Sequence, residues 1–218
     1  MKYVKTIICL VAAAYFSNVS AQFGVRAKYL SNDLDPFIEN VSMDNSFEFG
    51  LDYWFRLKDR RIEFLPEVSY EMTSGETSTL DVVDVNFNSL NLLLNTNIYF
   101  MDFYNDCDCP TFSKDGNAFT KGFHLILSSG LRYYGYSYAD TSLDRNLGLI
   151  LAGGIGIDIG INDLVTITPH FLYRHNPSIS ANFPEPILIN ESSHTIRQFN
   201  FGIRIGFRPD YQTPRFGR

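Results

Sequence analysis

The chain has 218 residues, of which 45% are hydrophobic, 15% are aromatic and only 19% are charged. This composition excludes an intrinsically disordered chain and supplies enough apolar residues for one domain with a full core. The formal net charge of -6 leaves no excess of cations, which excludes a protein that binds the phosphates of a nucleic acid.

The first predicted element is an export signal over residues 1–21. Two lysines precede an apolar run at residues 6–16, and residues 19–21 have the small-x-small pattern that a signal peptidase reads. The apolar run is too short for a membrane-spanning helix, which needs roughly 20 residues. We therefore predict cleavage before Gln22 and a single domain over residues 22–218.

Beyond the signal, apolar residues recur with a period of two, which is typical of β-strands. In the clearest segment Phe47, Phe49 and Leu51 alternate with Glu48 and Asp52. The same alternation predicts eight strands. In chain order they cover residues 23–29, 47–57, 62–72, 90–100, 123–133, 147–159, 165–173 and 199–207.

The two faces of these strands differ in size and charge. One face carries roughly 40 bulky apolar residues, whereas the interior of an eight-stranded barrel holds only its own side chains. The opposite face carries glycines and ions, which suit a crowded interior. Since only a closed barrel satisfies strand backbones within a bilayer, we predict an all-β fold. The expected architecture is an eight-stranded antiparallel up-and-down transmembrane β-barrel with a polar, plugged interior and its apolar face toward lipid.

The polar face predicts an ion network in the lumen. Acids and bases on it are nearly equal in number, as expected of charges that pair in a closed interior. We expect them to fill the lumen rather than to line a pore. The predicted network consists of Arg26, Lys28, Glu48, Asp52, Arg56, Glu63, Glu67, Glu71, Arg132, Asp158, His170, Arg174 and Arg204.

Two prolines lie within predicted strands. Pro66 and Pro169 each remove a ladder hydrogen bond, which predicts local bulges.

Connection lengths predict the orientation. We call the end of the barrel at which the first strand begins the lower end, and the opposite end the upper end. Short turns at residues 58–61 and 162–163 place the lower end in the periplasm. The upper connections, predicted as long acidic loops, cover residues 30–46, 73–86, 137–146 and 175–194. The lower connection at residues 102–121 is long and departs from this rule.

The last predicted strand carries a family resemblance. Asn200, Gly202, Ile205 and Phe207 form a polar-x-Gly-x-x-apolar-x-aromatic pattern. It resembles the signal that the outer-membrane barrel-assembly machinery recognises, although the tail at residues 208–218 follows it. With eight strands, the chain resembles small outer-membrane barrels of the OmpX and OmpA-barrel type. It also resembles the outer membrane protein β-barrel domain that includes PorT-like proteins.

The resemblance implies a location in the outer membrane of a Gram-negative bacterium, in contact with its lipid and lipopolysaccharide. The PorT-like branch implies a part in a secretion apparatus. We accordingly predict a non-enzymatic structural or interaction role, with the acidic upper loops facing the medium. The long lower loop and the tail would contact periplasmic proteins.

Cys107 and Cys109 lie in the long lower loop. Two thiols one residue apart can close a small strained disulfide, pair with another chain or bind a soft metal, and local pairing is the favoured interpretation. The loop contains no histidine to complete a zinc site. The glycine-rich residues 153–160 lie within one strand, which excludes a dinucleotide-binding loop. We predict no metal and no cofactor.

Two alternative functions remain open. Small outer-membrane barrels include lipid A deacylases and acyltransferases, which use His with Ser or Asp near the outer rim. His175 and His194 bracket the fourth upper loop beside several serines, so such an arrangement is compatible with the sequence. A soluble, lipocalin-like barrel would instead require the apolar face to point inward. We favour neither alternative and predict no catalytic residue.

Overall fold

Antiparallel strands form one sheet that closes on itself. The computed structural model describes residues 22–34, 41–43, 45–57, 60–77, 84–102, 121–138, 141–162, 164–179 and 194–207. Its strands are β1 (Gln22–Leu34), β2 (Val41–Met43), β3 (Ser46–Arg56), β4 (Ile62–Thr77), β5 (Asp84–Ile98), β6 (Phe123–Tyr138), β7 (Thr141–Ile157), β8 (Ile159–Gly160), β9 (Val165–Ile179) and β10 (His194–Phe207). A short 3-10 turn, Phe100–Asp102, follows β5. Within these ranges no helix has the length and apolarity to cross a membrane, a finding that does not bear on strands.

Pairing between the first and last strands closes the barrel. β1 lies antiparallel to both β3 and β10, so the described sheet has no free edge there. The short β2 continues the line of β3 along β4, and β8 continues the line of β7 along β9. The strands therefore occupy eight positions around the barrel. This confirms the predicted eight-stranded antiparallel fold.

The strand register fixes the shape of the barrel. A path of directly paired residues that starts at Phe171 on β9 and passes through β10, β1, β3, β4, β5 and β6 reaches β7 at Arg145. Phe171 itself pairs with Ile155, ten residues further along β7. This offset is the shear of the barrel, and it corresponds to a strand tilt of roughly 40°. Ten residue steps on such a strand rise roughly 25 Å, the height of the apolar band of a transmembrane barrel.

The outer wall is apolar between the two ends. Leu51, Leu92 and Ile203 are 66%, 57% and 52% exposed. Aromatic pairs lie above and below such residues, with Tyr29 against Phe47 at the upper end. At the lower end the pairs are Phe23 with Tyr53, Phe55 with Phe64, and Phe100 with Phe123. Aromatic girdles thus flank an aliphatic band.

The strands extend further upward than the sequence predicts. β4 and β5 are separated by six residues, and β6 and β7 by two, so the long loops predicted at residues 73–86 and 137–146 are wrong. The reason is an inverted pattern above the apolar band. Asn86 and Asn88 point outward there, whereas Phe87 is buried and packs against Tyr134 with ring centroids 5.6 Å apart. The strands were predicted from outward apolar residues at every second position, and this pattern is absent where the outer face is polar.

The bulges predicted at Pro66 and Pro169 are also wrong. The ladder between β3 and β4 is interrupted opposite Pro66, yet the register is the same on both sides of the gap. A similar gap opposite Pro169 separates β7 from β8 without a change of register. Proline removes one donor but inserts no extra residue, so the pairing resumes in step. Register shifts occur instead near the upper end, for example between Gly135 and Ser137.

Glycines make room for apolar side chains inside the barrel. A Cβ at Gly154 would lie 2.9 Å from Leu172 Cδ2, and one at Gly130 would lie 2.8 Å from Leu93 Cδ2. At Gly156 a Cβ would lie 3.1 Å from Ile126 Cδ1 and 2.6 Å from His124 Nε2, so this glycine makes room for both side chains. The polar lumen therefore contains a sector in which bulky aliphatic residues pack over glycines.

Two adjacent glycines on β7 provide a direct test of this packing. At Gly154 a Cβ would collide with the backbone oxygen of Phe171, whereas at Gly153 the nearest atom would be at 3.9 Å. We expect Gly154→Ala to destabilise the barrel by about 1–3 kcal/mol and Gly153→Ala to leave it nearly unchanged. Guanidinium unfolding in lipid vesicles measures both. Equal losses would show that the inner wall tolerates the added methyl group.

Candidate functional site

Acids and bases occupy different parts of the lumen wall. Five of the six acids in the predicted network lie on β3 and β4, at Glu48, Asp52, Glu63, Glu67 and Glu71. The predicted bases lie on β1, β6, β9 and β10, apart from Arg56, the last residue of β3. Along each strand these charged side chains alternate with lipid-facing ones, so every second residue points into the lumen. Ion pairs must therefore bridge strands across the interior.

Asp52 holds two arginines near the lower half of the lumen. Its carboxylate accepts hydrogen bonds from Arg26 Nε at 2.8 Å and from Arg204 Nη2 at 2.7 Å. Arg26 and Arg204 are direct partners across β1 and β10, so two like charges face each other there. The shared carboxylate, which is fully buried, offsets their repulsion.

Lys28 and Glu48 form the centre of the network. Lys28 Nζ donates to Glu48 Oε1 at 2.6 Å and to Glu67 Oε1 at 2.5 Å. The other oxygen of Glu48 accepts from Arg174 Nη1 at 2.7 Å. Ser69 also donates to Glu48, at 2.8 Å. This buried carboxylate thus links β3 to its neighbours β1 and β4 and, across the lumen, to β9.

Glu71 connects the centre with the upper part of the lumen. Its Oε2 accepts from Arg132 Nη2 at 2.5 Å and from Arg174 Nη1 at 3.2 Å. Its Oε1 accepts from Gln198 Nε2 at 2.9 Å, and the same amide donates to Asn32 Oδ1 at 2.7 Å. Charged and amide side chains therefore form a continuous plug from Asp52 upward.

A second group closes the lower end. The Tyr99 hydroxyl lies 2.9 Å from Glu63 Oε2 and 2.7 Å from Asp158 Oδ2. Thr168 donates to the other oxygen of Asp158 at 2.5 Å. The guanidinium of Arg61 lies over the Tyr99 ring, 4.1 Å from its centroid. This arrangement caps the lumen with two carboxylates, an aromatic ring and a cation.

Sequence reasoning missed several members of the lumen network. Tyr99, Gln198 and Arg61 were not predicted, although each is buried. The first two are uncharged, and Arg61 lies in a turn, so a comparison of charges on strand faces overlooks them. Continued alternation along β5 would have placed Tyr99 inside, because Asn95 and Asn97 of the same face are buried.

His170 lies inside the lumen beside a glycine. It is 7% exposed, and its Nδ1 lies 3.3 Å from the carbonyl oxygen of Thr168. A Cβ at Gly202, its direct partner on β10, would lie 2.6 Å from His170 Cε1. Gly202 thus makes room for the imidazole. The side chain of Arg56 lies outside the described part of the chain.

The remaining residues predicted from the sequence face the lumen, lie on the outer wall or lie outside the described residues. In the assembly-signal pattern, Asn200 and Gly202 face inward, whereas Ile205 and Phe207 face outward. His175 lies on the outer wall at the upper end of β9. Cys107, Cys109 and the side chain of His194 lie outside the described residues. Within the described ranges, no three His, Cys, Asp or Glu side chains are grouped so as to hold a metal ion.

The chain has distant structural relatives. No family model and no curated protein matches its sequence. Its fold is similar to that of Neisserial surface protein A, with a TM-score of 0.47 and 11% identity over 87% of this chain and 97% of that one. The attachment invasion locus protein Ail of Yersinia pestis gives 0.44 and 12% over 87% and 100%. The outer membrane enzyme PagL gives 0.41 and 12% over 83% and 97%. Likenesses this distant carry no argument about a role.

Removal of one central charge tests whether the plug stabilises the barrel. Glu48→Gln keeps the size of the side chain but leaves Lys28 and Arg174 with less counter-charge, so we expect a loss of about 3–5 kcal/mol in unfolding free energy. Ser89→Ala is the control, since Ser89 is a buried neutral side chain that donates to Asn91 Oδ1 at 3.2 Å. Its loss should be about 1 kcal/mol. Denaturant titration in lipid vesicles compares them, and a similar small loss in both would contradict a stabilising plug.

Proposed function

We propose that this chain is an integral outer-membrane β-barrel protein of a Gram-negative bacterium, with a non-enzymatic structural or interaction role. The observation that carries the proposal is the inside-out distribution of its side chains. Large apolar residues such as Leu51, Leu92 and Ile203 are more than half exposed, whereas Glu48 and Glu71 are fully buried. An outer surface of this kind is stable in contact with the hydrocarbon of a lipid bilayer.

The energetic reason is the size of the apolar belt. Each large side chain that leaves water gains about 1.5–3 kcal/mol, and a continuous belt of them is far larger than the patches that soluble monomers expose. A lipocalin-like barrel requires the reverse arrangement. Glu67 and Arg204, which would then face water, are 1% and 8% exposed. The geometry therefore argues against the soluble alternative.

The filled lumen supports a structural role rather than conduction. Ion pairs from Asp52 to Glu71 cross the interior without a break, and Leu93, Ile126 and Leu172 occupy the space over the glycines. An eight-stranded barrel has little room left once its side chains fill the interior. The side chains that could contact partners are therefore on the outer wall and in the connections.

The connections support an orientation with the lower end in the periplasm. Between β3 and β4 the chain reverses in a tight turn, in which Leu57 N donates to the carbonyl oxygen of Ile62 at 3.1 Å. Between β8 and β9, Asn162 Oδ1 accepts from the backbone N–H groups of Leu164 and Val165 at 2.9 and 2.8 Å. Short periplasmic turns are typical of outer-membrane barrels.

The partner-binding segments of this proposal lie beyond the described residues. We propose that the long lower connection at residues 103–120 and the tail at 208–218 contact periplasmic proteins. The acidic upper connections would face the medium. Membership of a secretion apparatus, as in the PorT-like branch, is the most specific form of this proposal.

The alternative of a lipid A-modifying enzyme rests on His175 and His194 with the serines of the fourth upper loop, and of these side chains the structure describes that of His175. This side chain points outward, and its direct cross-strand partners are Leu151 on β7 and Arg197 on β10. Neither partner is a nucleophile or a carboxylate that could orient an imidazole.

A charge placed in the belt tests membrane insertion. Leu51 lies near the middle of the apolar band, so Leu51→Arg should cost about 2–4 kcal/mol of folding free energy in a bilayer. Asn88→Arg is the control, since Asn88 is exposed above the band and its substitution should cost little. Heat-modifiable gel migration after folding into vesicles measures the folded fraction. A belt that does not face lipid would tolerate both changes equally.

One expression experiment tests the interaction role against the enzymatic alternative. We expect crosslinking through the tail at residues 208–218 to recover periplasmic proteins, while the mass of cellular lipid A stays the same with and without the protein. Deletion of the tail is the control for the crosslinks. A shift in lipid A mass that His175→Ala abolishes would contradict the non-enzymatic role, and crosslinks to lipid alone would remove the periplasmic contacts.

A further inference from the structure

Two basic side chains face outward at the upper edge of the apolar band. His175 on β9 and Arg197 on β10 are direct antiparallel partners. Arg197 is exposed and His175 is half-buried. Each lies two residues above an aromatic residue of the band, Tyr173 and Phe199 respectively. The pair therefore stands at the depth at which the polar headgroups of a surrounding bilayer begin.

An aromatic patch lies directly below this basic pair. The rings of Tyr173 and Phe199 are 5.5 Å apart, and Phe171 lies 6.2 Å from Phe199 and 4.9 Å from Phe201. All four residues belong to β9 and β10 and are on the outer wall. Together they form a continuous aromatic surface beneath the two basic side chains. The upper part of these two strands is thus complementary in charge and polarity to a phosphorylated lipid.

The basic pair is a local feature of the outer wall. On β1, β3, β4, β5 and β6 the first outward position above the apolar band is uncharged, namely Ser31, Asn45, Ser74, Asn88 and Gly135. On β7 this position is Arg145, six residues nearer the upper end than Leu151, the partner of His175. Six residues extend about 20 Å along a strand, so Arg145 lies well apart from the pair.

We propose that His175 and Arg197 bind a headgroup phosphate of an outer-leaflet glycolipid, lipopolysaccharide, whose acyl chains lie on the aromatic patch. The guanidinium fork matches two phosphate oxygens, and the imidazole supplies a further donor. The aromatic surface below offers apolar contact at the depth of the acyl chains. This inference rests on the proposed location and deepens it by naming the residues that face the lipid headgroup.

Asp33 provides a competing explanation for the charge of Arg197. Backbone pairing places Asp33 next to Arg197 on β1, although the Asp33 side chain lies outside the described part. If Arg197 served only as the ion-pair partner of that acid, its removal would leave lipid binding unchanged. The lipid-binding measurement therefore distinguishes the two explanations.

The test uses the full chain in detergent, titrated with lipid A that carries its phosphates and with the same lipid A after dephosphorylation. We expect the phosphorylated form to bind about tenfold more tightly to the wild type. Arg197→Gln should remove that preference, because a charge-assisted hydrogen bond is worth about a factor of ten or more. Arg145→Gln is the matched control and should keep it, since that arginine lies far from the pair. Native mass spectrometry counts the bound lipid in each sample.

Three outcomes would overturn the inference: equal binding of both lipids by the wild type, an unchanged preference in Arg197→Gln, or an equal loss in Arg145→Gln. Heat-modifiable migration of each variant ensures that only folded barrels are compared. Failure of the wild type to insert into vesicles would instead contradict the proposed function itself. A barrel that inserts but shows no preference for the phosphorylated lipid contradicts only the phosphate site.

Discussion

Closure of the sheet by β1 and β10 is the constraint on which the other features depend. In hydrocarbon every backbone donor and acceptor on a strand needs a partner, and only a closed ladder supplies one at both edges. Once the ladder is closed, each strand has one face toward lipid and one toward a narrow interior. Alternate residues must then satisfy opposite requirements. The exposed Leu51 and the buried Glu48 and Asp52 on β3 reflect this single cause.

The same closure determines how the interior is stabilised. Buried carboxylates are costly unless they are paired, and Glu48, Asp52, Glu67 and Glu71 each meet a cation from another strand. The contact between Glu48 and Arg174 joins β3 to β9, and that between Glu71 and Arg132 joins β4 to β6. These pairs tie together strands that are not neighbours in the sheet. Glycines on β6, β7 and β10 provide the space in which the long side chains and the aliphatic residues pack.

The outer wall does not have the same character all the way around the barrel. Its apolar belt and aromatic girdles meet the general requirements of a bilayer, and they do not by themselves select a partner. The basic pair on β9 and β10 adds a local charge to that surface, directly above an aromatic patch. In the proposed role, the plugged barrel serves as the scaffold and its outer surface binds lipid. Protein partners would be met by the connecting segments.

The period-two pattern by itself determined the strands and their faces, because alternation is a local property of an extended chain. The closed eight-stranded fold followed from the apolar outer face, because only a closed barrel satisfies strand backbones in a bilayer. The strand prediction failed above the apolar band, where the pattern is inverted: Phe87 points inward and is buried, and Asn88 points outward, so the outer face there is polar. Only the tertiary structure decided which acid meets which base. Glu48 and Arg174 are 126 residues apart, and their contact depends on the ten-residue shear of the barrel. The same register places His175 opposite Arg197, and no local pattern specifies it, because register is a property of the whole closed sheet.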